Sequence, residues 1–179
     1  MESRVKFLGH PIHPMLIVFP LGLLAMALIF DIIYFITGLT ELAIASFWMI
    51  GAGVIGGIVA AAFGLLDWLA IPGGTRAKTI GLMHGTGNLL IVLLFAASLL
   101  LRYNVSNHLP SAASLIVELV GGILALGTAW LGGELVDRLG VGVDPGANVN
   151  ASNSLSGEPA YQEATPETPP EKAPGTTMH

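Results

Sequence analysis

The sequence contains no cysteine, which excludes disulfides, iron–sulfur ligation and thiol chemistry and leaves the redox compartment unreadable from that residue. Charge is scarce too. Asp, Glu, Lys and Arg make up 11% of the chain, against roughly 25% in soluble domains. So little ionic surface cannot coat a water-soluble particle. With 53% hydrophobic residues and a mean hydropathy of +0.74, the composition is that of an integral membrane protein. A net charge of -5 argues against nucleic acid as a partner. A Walker-type phosphate loop is missing, and no Ser–His pair has nucleophile spacing.

What is present is a set of four apolar stretches, at about 15–37, 44–71, 79–101 and 112–135. Each reaches the ~20 helical residues that a bilayer core requires. The first is longer than the ~7–15 residues of a cleavable signal's apolar region, so it reads as a retained span. The links are short, and Pro72-Gly73-Gly74-Thr75 is a turn signal. The predicted fold is all-α: an integral membrane four-helix up-down bundle over 1–143 with a disordered C-terminal tail over 144–179. That tail is rich in Pro, Gly, Ser, Thr, Asn and Glu and cannot bury enough surface to offset its ordering entropy.

Basic residues set the expected orientation. Arg4 and Lys6 precede the first span, Arg76 and Lys78 lie in the second link, and Arg138 and Lys172 follow the fourth span. The opposite side offers Arg102 alone, read here as a loop residue. The positive-inside rule then places both termini and the second link in the cytoplasm. Trp48, Trp68 and Trp130 fall near span ends, where indoles act as interfacial anchors.

Polar and small residues share faces. In the second span Gly53, Gly57, Ala60, Gly64 and Asp67 lie on one side, with Asp67 expected to point into the bundle. Gly81, His84, Gly85 and Asn88 share a face of the third, and Glu118, Gly122, Ala125, Ala129 and Gly132 one of the fourth. In the first, His13 and Asp31 stand eighteen residues apart, five whole turns, if Pro20 does not kink the helix. Small faces let another backbone approach closely. Ionisable groups inside a span cost about 2.5–3.5 kcal/mol on insertion scales and are functional candidates by default.

His10, His13, Asp67, His84, Asn88 and Glu134 fall at the cytoplasmic end, Glu134 being equally explained as a helix-end residue; Asp31 and Glu118 fall near the other. Two chemistries fit the first group. One is a b-type haem with His84 and His13 or His10 as axial ligands, Asn88 beside them and small residues making room for the macrocycle. The other is a metal site of His13, His84 and Asp67. Against both stands a structural reading, in which Gly9-His10-Pro11-Ile12-His13-Pro14 is a helix entry. A third function, proton or ion handling through Asp31, Asp67 and Glu118, is disfavoured by the little polar sequence between the two ends. No internal identity pointing to duplication is evident.

Gly9-His10-Pro11-Ile12-His13-Pro14-Met15-Leu16, Phe19-Pro20-Leu21-Gly22, Gly64-Leu65-Leu66-Asp67-Trp68, His84 with Asn88, and Leu131-Gly132-Gly133-Glu134-Leu135-Val136 before Gly140-Val141-Gly142-Val143 form a specific combination. Together they resemble the bacterial four-helix membrane family filed as domain of unknown function 2231, over about 7–144. The resemblance implies a multi-pass protein of the bacterial inner membrane. Some relatives carry fused Rieske-type domains, which implies membrane electron transfer. Relatives often continue Gly-Gly-Glu-Leu-Val with Tyr-Arg-His-Gly; here Asp137-Arg138-Leu139-Gly140 stands instead, so that histidine is missing. The expected function is therefore an electron-transfer subunit binding haem b or a metal, or, alternatively, a cofactor-free structural subunit of a membrane complex. The sequence leaves open whether the chain is an enzyme and favours a carrier or structural role. The expected partners are the lipid bilayer and other membrane or redox subunits or further copies of the chain.

Overall fold

The computed structural model describes residues 1–156, 158 and 160. Two short antiparallel strands open the chain, β1 (Lys6–Phe7) and β2 (His10–Pro11), pairing Lys6 with Pro11 and Phe7 with His10. Five helices follow: α1 (Ile12–Leu16), α2 (Val18–Thr37), α3 (Thr40–Ala70), α4 (Arg76–Tyr103) and α5 (Ala112–Gly133). A short 3₁₀ turn (Ser106–His108) precedes α5 and a π-helical turn (Glu134–Arg138) extends it. These helices supply four segments long and apolar enough to cross a membrane.

The spans run a few residues beyond the hydropathy windows, because polar residues at a lipid–water boundary continue a helix that apolar counting ends early. The link expected at 38–43 shrinks to Gly38 and Leu39. Gly38 ends α2 at φ 74, its N–H donating to the Tyr34 carbonyl at 2.7 Å, a left-handed cap that suits glycine. Thr75 starts α4 by accepting the Lys78 N–H. Pro20 has no N–H to offer the Leu16 carbonyl, and the helix is interrupted at Ile17, dividing α1 from α2. The next bond, Leu21 N–H to the Ile17 carbonyl, is made at 3.1 Å, so the break does not turn the span aside.

The bundle is two antiparallel hairpins, α2 on α3 and α4 on α5, joined chiefly where α3 lies against α4. Leu24, Ala27, Ile50, Ile91 and Phe95 form the core between them. In lipid, apolar area alone does not drive helices together, so close packing must. Glycines provide it. A Cβ on Gly53 would lie 2.6 Å from Leu24 Cδ2, and one on Gly121 would lie 2.9 Å from the Phe95 ring. Large side chains such as Ile36, Leu100, Ile123 and Leu126 face outward, as a lipid-facing surface requires. Trp48 and Trp130 are exposed near span ends, as expected of anchors. Trp68 does something else. Its ring lies under Lys78 Nζ at 3.9 Å, and its Nε1–H donates to the Lys78 carbonyl at 3.1 Å, clasping the α3–α4 link.

After the π turn the chain makes successive Asx turns. The backbone N–H groups of Gly146, Asn150 and Leu155 donate to the side chains of Asp144, Asn148 and Asn153. No helix or strand forms in the described part of the expected tail; 157, 159 and 161–179 lie outside the described residues.

Gly121→Ala should destabilise the protein by about 1–3 kcal/mol, because the buried Phe95 ring must give way to the new methyl. Gly22→Ala, where a Cβ meets nothing within 4 Å, should leave the thermal midpoint in detergent unchanged.

Candidate functional site

The polar residues gather at two levels of the bundle, with the apolar core between them. At the N-terminal end of α1 and α4 stand the two span histidines. His13 Nδ1 lies 2.9 Å from the Ala60 carbonyl of α3, and His84 Nδ1 lies 2.8 Å from the Thr128 carbonyl of α5. A carbonyl only accepts, so each Nδ1 carries the proton, and in the neutral ring Nε2 holds the lone pair. His84 Nε2 takes up the Asn88 side-chain N–H at 3.1 Å, and Asn88 Oδ1 accepts from the Thr128 hydroxyl. His13 Nε2 makes no hydrogen bond among the described residues.

Both rings rest on glycine. A Cβ on Gly64 would fall 2.8 Å from His13 Cε1, and one on Gly132 would fall 3.1 Å from His84 Cε1. Neighbouring side chains lie against the small faces: imidazoles on Gly64 and Gly132, Trp68 on Gly81 and Thr128 on Gly87. Gly85 and Ala129, assigned to those faces from spacing, are exposed; Gly121 and Thr128 take the buried places on α5.

The other residues of the expected cluster separate. His10 sits in β2, exposed, with Nε2 3.2 Å from the Ser154 hydroxyl. The strand turns it away from His13, because the helix on which they would share a face begins only at Ile12. Asp67 does not enter the bundle. It accepts from the Ser3 hydroxyl at 2.6 Å and the Arg4 backbone N–H at 2.9 Å, and so ties down the N-terminal segment. Glu134 pairs with Arg76 at 2.6 Å. Among the described residues no three His, Asp or Glu side chains lie grouped as a metal site.

The second level is a buried ionic cluster. Arg102, read from sequence as a loop residue, lies in the last turn of α4 and is fully buried. Its Nη1 donates to Asp31 at 2.5 Å, with Ser46 Oγ at 3.3 Å and Glu118 at 3.4 Å. Nη2 donates to the Ala43 carbonyl at 2.7 Å and to the second Asp31 oxygen at 3.3 Å; Nε donates to the His108 carbonyl at 2.8 Å. Asp31 and Glu118 are fully buried as well. Ser98 donates to Glu118 Oε1, while Glu118 Oε2 has no hydrogen-bond partner among the described residues. The cluster thus takes one group or more from α2, α3, α4, α5 and the loop before α5.

The model of the family described as predicted membrane protein, domain of unknown function 2231, matches residues 9–145. The chain belongs to this family. The match takes in all five helices and both polar levels. No curated protein and no solved structure matches the chain.

In this member of the DUF2231 family, a cleft of about 520 Å³ lies beside the ionic cluster, lined by Phe47, Trp48, Gly51, Leu99, Tyr103 and His108. The His108 ring stacks on Phe47 with centroids 3.8 Å apart. The cleft is at the opposite level from His13 and His84. Sequence reasoning missed Arg102 because a cation at a span's edge reads as loop; the signal that finds it is the nearby Asp31 and Glu118, which need a counter-ion in lipid.

Removing the cation alone should be severe. Arg102→Met leaves two buried carboxyl groups unpaired and should cost about 3–5 kcal/mol. Replacing all three, Asp31→Leu with Arg102→Met and Glu118→Leu, should recover most of that loss. Thermal unfolding in detergent checks both.

Proposed function

We propose that the protein is a non-enzymatic, structural membrane subunit in which His13, His84 and Asn88 are interhelical fasteners rather than cofactor ligands. The observation that carries this reading is that these groups are already engaged with the neighbouring helix. Each Nδ1–H holds a carbonyl of the helix beside it, each ring fills the space above a glycine, and Asn88 bridges His84 to Thr128. A hydrogen bond from a ring N–H to a backbone carbonyl of the neighbouring helix joins the two helices directly.

A second reading keeps the haem b or metal electron-transfer subunit, with His13 and His84 as ligands and His10, Asn88 and Asp67 as accessories. One observation favours it. An imidazole held through Nδ1–H to a carbonyl presents Nε2 outward, as an axial or metal-bound histidine does, and His13 Nε2 has that form. Asn88 on His84 Nε2 weighs against it, as does the position of the cleft.

The membrane is the bacterial inner membrane, with both termini and the α3–α4 link in the cytoplasm. The burial of Arg102 supports this orientation. Arg4, Lys6, Arg76, Lys78 and Arg138 remain at one end, and among the described residues the other end has no exposed Lys or Arg.

Purified protein, expressed with added haem precursor, should show no Soret absorbance and only substoichiometric metal. A Soret band lost in His84→Phe would overturn the structural reading. In that reading His84→Phe instead lowers stability by about 1–3 kcal/mol. For orientation, the natural absence of cysteine permits single labels. Ser106→Cys should react with an impermeant maleimide in intact cells and Gly73→Cys only after lysis; the reverse result inverts the topology.

A further inference from the structure

We infer that the bundle is two copies of one helical hairpin, fused and diverged, and that the Asp31–Arg102 ion pair sits on the pseudo-two-fold axis between them. The sequence shows too little identity to reveal this; the buried positions do. Residues of α1–α2 match residues of α4 at a constant spacing of 71, and residues of α3 match those of α5 at a spacing of 68.

At these spacings His13 falls on His84, Leu24 on Phe95, Ala27 on Ser98 and Asp31 on Arg102. In the second helix of each hairpin, Ser46 falls on Ser114, Gly53 on Gly121, Ala60 on Thr128 and Gly64 on Gly132. All of these are buried except the His and Gly pairs at the histidine end, which are half-buried in both halves.

The contacts repeat as well as the residues. In the first half His13 lies over Gly64 and its Nδ1 bonds the Ala60 carbonyl, one helical turn before that glycine. In the second His84 lies over Gly132 and bonds Thr128, again one turn before the glycine. A Cβ on Gly53 would meet Leu24 and Leu23; a Cβ on Gly121 would meet Phe95 and Leu94, their equivalents. Two unrelated hairpins have no reason to share a fastener and a close approach at the same separation.

Both hairpins begin at the same end of the bundle, so the axis runs along the helices, as in parallel repeats. A residue that touches its own equivalent must lie near that axis, and Asp31 touches Arg102. In two identical hairpins these positions would oppose like charges. Here one half carries the anion and the other the cation. A second divergence accompanies it: Glu118 beside Arg102 stands where the first half has Ile50. The ion pair therefore specifies that the first hairpin joins the second of the same chain, and disfavours pairing of like halves between chains.

The test exchanges the charges across the axis in the full-length protein. Asp31→Arg alone should give no folded monomer on size exclusion in detergent. The fourfold exchange Asp31→Arg, Ile50→Glu, Arg102→Asp, Glu118→Ile should restore the monomer and recover more than half of the lost thermal midpoint. The twofold exchange Asp31→Arg, Arg102→Asp, which leaves Glu118 beside an aspartate, should recover less. A fourfold variant no better than the twofold one overturns the inference. Cysteine pairs in the otherwise native chain give a second readout. Leu28 contacts the Gly122 position, so Leu28→Cys with Gly122→Cys should form a disulfide. The pseudo-symmetry requires the equivalent pair, Leu99→Cys with Val54→Cys, to form one to a similar extent. Failure of that second pair alone also overturns the repeat.

Discussion

Everything at one end of this bundle depends on keeping a guanidinium out of water. Arg102 has five N–H groups to satisfy, and the fold supplies two Asp31 oxygens, a serine hydroxyl and two backbone carbonyls around them. Those acceptors come from α2, α3 and the loop before α5, so satisfying one side chain fixes the relative height of the helices. In hydrocarbon this constraint is harsh, because an unmatched charge finds no solvent. Lipid offers apolar surfaces no preference for one another, and a polar cluster with a defined geometry supplies the register that apolar packing does not.

The histidine level complements it with single hydrogen bonds between neighbouring helices. His13 and His84 each hold a carbonyl of the adjacent helix over a glycine. The hairpins are thus closed individually by imidazoles at one end and locked together by an ion pair at the other. Between these levels Leu24, Ile50, Ile91 and Phe95 keep the interior apolar. The two polar levels are separate in space, with the apolar core between them.

The fold was largely legible in the chain. The four runs, the Pro72–Thr75 turn and the depth of His13, His84, Asp31 and Glu118 follow from hydropathy and from the rise per residue. The candidate site was legible only in part. His84 with Asn88 was found because i and i+4 on one helix are neighbours whatever the rest of the protein does. His10 and Asp67 were misplaced because their partners, Ser154 and the Ser3–Arg4 segment, are remote in sequence and lie in irregular chain that carries no periodicity.

The sequence by itself determined that this is a membrane-spanning four-helix protein, since backbone satisfaction in lipid permits no other use of four such runs. Tertiary structure alone decided what the polar residues do. It seated His13 on Gly64, His84 on Gly132 and Trp68 on Gly81, and carried Arg102 from an apparent loop to the centre of a buried cluster. The reason is physical: helical periodicity fixes which residues share a face, while the helix that meets that face, and the side chain that fills it, are fixed only when the hairpins pack.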